Sequence, residues 1–457
     1  MSILTLAFRN VRKSFRDYGI YFLTVMLGVA MFYIFNSVSS QSVMMELDKK
    51  FASALVGIGK TMDALSFFVA AILGFLILYA NAFLIRRRKK ELGLYTILGM
   101  RKSRISAILT CETILTGILS LAVGLALGVF LSQGMALVTA KLLGVNVTRF
   151  AFVFSEEALV KSIRYFAVSF LIVIAFNVIN VNLHKILDLI YADKKNARLI
   201  KLPLWISVVV FALSLTALAV AYRLILTSGI VGFFTGSNTR AFYASLILGV
   251  TGTFLLFFSL SGFFLKLISR IKGIYFNKLN MFTLKQLNSK IHTAWVSMSF
   301  VCLMLFLAVS ALSVGSSLAT AIRAYRSDEI TTSVAVAYMT TYLGIVFLIS
   351  CASVLAIAQL SEANDNQARY RLLSQLGAGH KMLTGSVFRQ VGIYFAAPLI
   401  LAAAHAIVGI KVMSVLVEAL GDLNIFAMSL TAGGAVVLIY GGYFLVTYFS
   451  AKKMILQ

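Results

Sequence analysis

Glu112 is the residue whose type and position most invite chemistry. It is a lone acid inside a long apolar run, eight residues after Arg104, which places it roughly 12 Å along a helix from that cation. An ionisable group at such a position is a functional-site candidate, as a proton relay or as the partner of a basic or amide group on another helix. One acid without a chain of further acids favours the pairing role. Replacing Glu112 by Gln separates the two, because activity retained at every pH excludes a proton relay. A second candidate, Gly59-Lys60-Thr61, has the tail of a phosphate-cradling loop, but Ala54 stands where the leading glycine belongs and no strand precedes it. Cys111, Cys302 and Cys351 are isolated in apolar segments, and His184, His292, His380 and His405 are scattered without metal-ligand spacing. These observations point away from catalysis and from any bound cofactor or metal.

Two stretches instead repeat each other at one offset. Thr5, Leu6 and Asn10 recur 278 positions on as Thr283, Leu284 and Asn288, and Leu98-Gly99 recurs as Leu376-Gly377. At the same offset Glu112 corresponds to Gln390, beside Arg389. The chain is thus read as a duplicated unit. Each copy carries an apolar span that runs into a charged stretch, then a short apolar helical turn, a glycine, and a basic residue opening the next span. In the first copy the carriers are Glu91, Leu92, Leu94, Tyr95, Leu98 and Gly99; in the second they are Arg369, Leu372, Leu373, Leu376 and Gly377. Glycine there suits a helix C-cap, where the reversal needs positive φ. A short helix across the membrane face, apolar on one side, is a knob that a cytoplasmic partner can grip.

The elements that must position these turns follow from composition. Hydrophobic residues make up 60% of 457, charged residues only 12%, and there are two prolines, against a charged fraction of roughly 25% in soluble domains; mean hydropathy is +0.94. Apolar runs long enough to cross a bilayer fall near Tyr18–Ser40, Leu65–Ile85, Ile105–Met135, Tyr165–Leu183, Pro203–Arg223, Phe242–Ile268, Ala294–Ser316, Ala335–Ala358, Gly385–Gly409 and Leu430–Ser450. The expected fold is an all-α membrane protein of about ten spans. The first apolar run is too long for a removable signal peptide and reads as a span. The net charge of +25 gathers in alternate loops rather than along a groove, which argues against nucleic-acid binding and predicts both termini to be cytoplasmic. Residues 1–200 are expected to form one four-span module, 201–278 a two-span insert with a cytoplasmic linker, and 279–457 a second four-span module in parallel orientation. Ahead of the first span, Leu4, Phe8, Val11 and Phe15 share a helical stripe beside Arg9, Arg12, Lys13 and Arg16, so that helix should lie along the inner surface. Asn81, Asn177, Asn180 and Asn182 are read as interhelical hydrogen-bonding groups, and Gly117, Gly124 and Gly128 as sites of close helix approach.

The start Thr5-Leu6-Ala7-Phe8-Arg9-Asn10, the run Glu91 through Gly99, the stretch Gln359-Leu360-Ser361-Glu362-Ala363 leading through Asp365 and Arg369-Tyr370-Arg371-Leu372-Leu373 to Leu376-Gly377, and Phe395-Ala396-Ala397-Pro398-Leu399 together resemble the FtsX-like permease module of ABC transporters. The fuller arrangement is similar to the bacitracin-resistance, BceB-type permeases. The resemblance implies a non-catalytic membrane subunit in the bacterial cytoplasmic membrane. Two copies of a separate ATPase subunit, carrying ATP and Mg, would drive it through the two turns. It further implies substrates such as antimicrobial peptides or similar amphiphiles at the outer face, and admits a membrane sensor histidine kinase as a partner. An alternative is a regulatory protein that relays ATPase motion to such a kinase or to a cell-wall hydrolase without transport. A secondary transporter would need clustered intramembrane acids, which are not seen. One departure stands out. The family carries a sizeable extracellular domain between spans seven and eight, whereas about 18 residues separate Ser316 from Ala335 here, too few for an independent core. A naturally reduced relative and a shortened form of a longer chain both fit that difference.

Overall fold

A computed structural model describes residues 3–13, 15–37, 91–143, 152–183, 203–229, 238–324, 331–418 and 425–456, with scattered positions in 66–88. The helices are α1 (Ile3–Lys13), α2 (Phe15–Asn36), α3 (Lys102–Leu143), α4 (Glu156–Leu183), α5 (Leu204–Leu224), α6 (Thr239–Arg270), α7 (Lys272–Tyr275), α8 (Asn280–Ala324), α9 (Thr331–Gln375), α10 (His380–Glu418) and α11 (Ile425–Leu456). Between α2 and α3, every described residue of 66–97 is helical, and no strand occurs among the described residues. Helix is the only open-ended element whose backbone polar groups are all satisfied within itself, which lipid demands. Eight described helices are long and apolar enough to cross a bilayer, and Tyr21–Asn36 is a shorter apolar one. The phosphate-loop-like Gly59-Lys60-Thr61 and the side chains of Asn180, Asn182, His184 and His292 lie outside the described residues.

The chain divides into two compact units, one from Met1–Arg198 with Arg326–Tyr342, the other from Leu199–Tyr325 with Leu343–Gln457. In the first, α2 packs along α3 because glycine removes the obstructing side chains. A Cβ on Gly124 would come within 2.7 Å of the Met26 carbonyl and 2.8 Å of Val29 Cβ, and one on Gly128 within 3.0 Å of Tyr33 Cβ. Gly117 admits the Phe170 ring of α4, 2.6 Å from where its Cβ would stand. Polar bonds fix the rotation of these helices. Asn81 Nδ2 donates to Asn177 Oδ1 at 2.5 Å, and Asn177 Nδ2 to Thr113 Oγ1 at 3.0 Å, joining three helices through groups that lipid cannot satisfy. Further along the unit, Ser66 Oγ donates to Asn36 Oδ1 at 2.7 Å, and Tyr342 Oη to the Ile34 carbonyl at 2.5 Å.

In the second unit, α5 and α6 pair closely, α6 packs on α8, and α8 packs on α10 and α11. Gly344 of α9 sits where a Cβ would lie 2.6 Å from Leu312 Cγ, and Gly252 of α6 where one would lie 2.9 Å from Leu218 Cδ2. Pro398 lies inside α10 and, lacking an N–H, cannot donate to the Tyr394 carbonyl in the preceding turn. Tyr440 Oη of α11 donates to the Phe395 carbonyl in that turn at 2.8 Å.

Candidate functional site

The two repeated turns have the same backbone hydrogen bonds, position for position. Met100 N–H reaches the Tyr95 carbonyl at 3.0 Å and Gly99 N–H the Thr96 carbonyl at 3.1 Å; Ala378 N–H reaches Leu373 and Gly377 N–H reaches Ser374, both at 3.0 Å. This nested pair is the Schellman cap, which requires a left-handed residue at its corner. Gly99 has φ +85° and Gly377 φ +91°. The next helix opens alike in both, with Arg104 N–H on the Arg101 carbonyl and Met382 N–H on that of Gly379. Each turn is therefore a tight helical hairpin.

The second turn is not a separate helix lying across the membrane face, as the residue pattern suggested. α9 runs unbroken from Thr331 to Gln375, since nothing between Leu360 and Gln375 is glycine or proline to interrupt it. The knob is the end of the long helix itself. Helical spacing then sorts the predicted residues by face. Leu94, Leu98, Leu372 and Leu376 stand exposed, Leu376 most of all at 83%; in each turn the two leucines are four residues apart and share a face. Leu92 points the other way, buried with Ile85, Ile105, Leu109 and Val181, and Tyr95 and Met100 pack against that cluster. Arg369 is exposed and Leu373 partly so. Arg101, Lys102 and Arg104 flank the first turn, and Arg371, His380 and Lys381 the second, all exposed.

Behind each turn lies a buried polar knot. In the first, Glu112 and Arg88 are 1% and 2% exposed and form an ion pair. Arg88 Nη1 donates to Glu112 Oε2 and to Tyr18 Oη. Arg88 Nε donates to Glu91 Oε2 at 2.8 Å, while Tyr18 Oη donates to Glu112 Oε2 at 2.7 Å and Asn10 Nδ2 to Glu112 Oε1 at 2.8 Å. The guanidinium also stands over the Tyr18 ring, 5.3 Å from its centre, a favourable placement for a cation. A long bond of 3.4 Å from Tyr95 Oη to Asn10 Oδ1 closes the circuit. α1, α2, α3 and the helical end before the first turn thus meet on one carboxylate.

The corresponding knot in the second unit centres on Gln390. Gln390 Nε2 donates to Glu362 Oε1 at 2.8 Å, and Tyr370 Oη donates to Gln390 Oε1 at 3.3 Å. Tyr370 Oη and Thr283 Oγ1 both meet Ser386 Oγ, at 2.9 and 2.7 Å. Burial pushes the Tyr370 hydroxyl up to about 12, so it serves as a neutral hydrogen-bonding group. Arg389 does not join this knot; its Nε bonds the Gly385 carbonyl at 3.0 Å and its Nη1 bonds Asn280 Oδ1. At the repeat offset Arg88 corresponds to Asn366 and Leu92 to Tyr370, so the two copies conserve position while exchanging the bonding groups.

Sequence reasoning found Glu112 and Gln390 but not their partners, which lie up to 102 residues away. It likewise passed over His405, whose Nδ1 is 2.5 Å from Tyr222 Oη and whose Nε2 is 3.0 Å from Thr253 Oγ1. That imidazole joins α10 to α5 and α6 inside the second unit, and no periodicity marks it. Among the described residues no group of three or more His, Cys, Asp or Glu is placed to hold a metal ion.

Comparison with known proteins agrees with this architecture. The family model for the FtsX-like permease C-terminal region matches residues 64–180, which contain the first turn, α3 and most of α4. The chain is 27% identical over 331 residues to the bacitracin export permease protein BceB of Bacillus subtilis strain 168, covering 72% of this chain and 49% of that protein. It is 26% identical over 276 residues to the protein of the same name in Halalkalibacterium halodurans, covering 60% and 41%. A B. subtilis protein named uncharacterized ABC transporter permease YvcS is 27% identical over 282 residues, covering 62% and 42%. The chain thus spans about half the length, or less, of the curated relatives it matches. It is a multi-pass, all-α protein of the bacterial cytoplasmic membrane that carries an FtsX-like permease domain and is related to the BceB-type permeases.

Proposed function

We propose that this chain is the membrane subunit of an ABC transporter, driven by a nucleotide-binding subunit at each of its two capped turns, and that it moves or releases an antimicrobial peptide or similar amphiphile at the outer face. The observation that carries the reading is the pair of identical Schellman caps, each presenting two exposed leucines beside exposed cations. Leucines 59% and 83% exposed on the second turn, and 54% and 71% on the first, suit an apolar groove in a partner, and the flanking cations suit an acidic rim around it. ATP and Mg would be bound by the partner. This chain would do no covalent chemistry; its turns would receive the closing motion of the ATPase pair, and each knot would pass that motion to the helices it joins.

The test is co-purification of the full chain with an ABC-type nucleotide-binding subunit expressed alongside it, with Leu98→Asp and Leu376→Asp as variants. Both should fold normally, since neither side chain is buried. Each should lose about half of the bound ATPase, and the double variant nearly all. Undiminished association of the double variant would overturn the reading, as would crosslinks that place either turn outside the cell. The relay alternative, in which ATPase motion reaches a sensor kinase or hydrolase without transport, predicts the same association but an unchanged distribution of peptide across the membrane.

A further inference from the structure

α1 is held to its unit by one narrow face. Ala7 is fully buried and Asn10 Nδ2 donates to Glu112, which fixes the rotation of the helix about its axis. Leu4 and Phe8, one turn apart on the adjoining face, are left 65% and 60% exposed. Arg9, Arg12 and Lys13 occupy the next sector, exposed, and meet no carboxylate among the described residues. The order around the helix is therefore protein, apolar edge, cationic edge. A protein partner would cover the apolar edge and the cations together, whereas a leaflet takes them at two depths, acyl chains against Leu4 and Phe8 and headgroups against the cations. Three exposed cations beside an apolar edge select an acidic leaflet over a neutral one, by roughly a hundredfold if each acts independently.

We propose that α1 is a clamp for acidic phospholipid headgroups of the inner leaflet, and that its seating positions the first turn through Asn10, Glu112, Arg88 and Glu91. In this chain of contacts each step is a hydrogen bond or ion pair already described, and its last member, Glu91, lies in the helical stretch that ends at Gly99. Lipid composition would then tune how the first turn is presented. Only the link to the turn presupposes the coupling role proposed above; headgroup capture stands without it.

The experiment uses the full chain in nanodiscs, with Cys111, Cys302 and Cys351 replaced by alanine and a bimane label at Phe8→Cys. Discs of phosphatidylcholine are compared with discs containing increasing phosphatidylglycerol. The expected result is emission that shifts to the blue and becomes shielded from an aqueous quencher as phosphatidylglycerol rises, with the combined Arg9→Gln, Arg12→Gln, Lys13→Gln variant needing at least about tenfold more acidic lipid. Identical emission in both discs, an unaffected triple variant, or a shift produced by free glycerol phosphate or by the ATPase subunit in place of acidic lipid would each overturn headgroup capture. A second label, at Leu98→Cys, reads the link. It should respond to phosphatidylglycerol in the parent chain and lose that response with Asn10→Ala while the Phe8 label keeps its own. A Leu98 label indifferent to lipid would overturn the link alone, and loss of ATPase binding would leave both readouts untouched.

Discussion

Breaking the Arg88–Glu112 pair tests the first knot most severely. Arg88→Met removes the cation and leaves a carboxylate 1% exposed, facing, among the described residues, the neutral donors of Asn10 and Tyr18. Removing one partner of a buried pair costs about 3–5 kcal/mol, because the remaining charge is stranded. Glu112→Leu strands the guanidinium instead, with Glu91, itself half exposed, as its remaining partner, and should fall in the same range. The double variant strands neither charge. Its cost is the loss of acceptors for Asn10 and Tyr18, about 1–3 kcal/mol for each buried group, partly relieved because Asn10 can reach water. The double variant should therefore be at least about 2 kcal/mol less damaging than the two singles summed. Thermal unfolding of the purified full chain reads this directly: with 457 residues unfolding, each single should lower the midpoint by roughly 3–5 °C. Glu157–Lys161 supplies the internal control, an i,i+4 pair 64% and 27% exposed, where Glu157→Gln should change stability by less than about 0.5 kcal/mol. If Arg88→Met is as mild as Glu157→Gln, or if the double variant equals the sum, the knot does not hold the four helices as argued.

Three further outcomes follow from single positions. Gly99→Val and Gly377→Val force a β-branched residue into φ near +90°, costing about 1–2 kcal/mol or more locally; each should reduce ATPase stimulation by the assembled complex while Gly→Asn at the same site retains much of it. Gly124→Leu must push α2 from α3 and should destabilise by about 1–3 kcal/mol in thermal unfolding, whereas Gly249→Ala, with nothing within 4 Å of its Cβ, should be neutral or slightly stabilising. His405→Ala removes the bonding partner of Tyr222 and Thr253 and should cost about 1–3 kcal/mol. Tyr222→Phe added to His405→Ala should then cost little more, read as non-additive midpoints.

Much of this protein is set by rules that act over a few residues. Runs of about twenty apolar residues have no stable state but a helix in lipid, so the class of fold was legible from composition and length alone. The two glycine caps were legible for a similar reason, because positive φ is a property of one residue and its neighbours. The offset of 278 positions, read from a few matched residues, is answered by hydrogen bonds that repeat atom for atom at the turns. What the pattern could not fix was the direction each helix faces. Leu92 and Leu94 are both apolar, and only the packing of Ile105, Leu109 and Val181 decides that the first is core and the second surface. The short transverse helix expected at the second turn is instead the end of α9, since a pattern of polar and apolar residues marks faces but not bends. The lone acid showed itself in the sequence, whereas its cation 24 positions earlier, its tyrosine 94 earlier and its asparagine 102 earlier did not. Those encounters depend on the rotation and depth of four separate helices, which are settled by the fit of their whole surfaces and leave no local signature at any one residue.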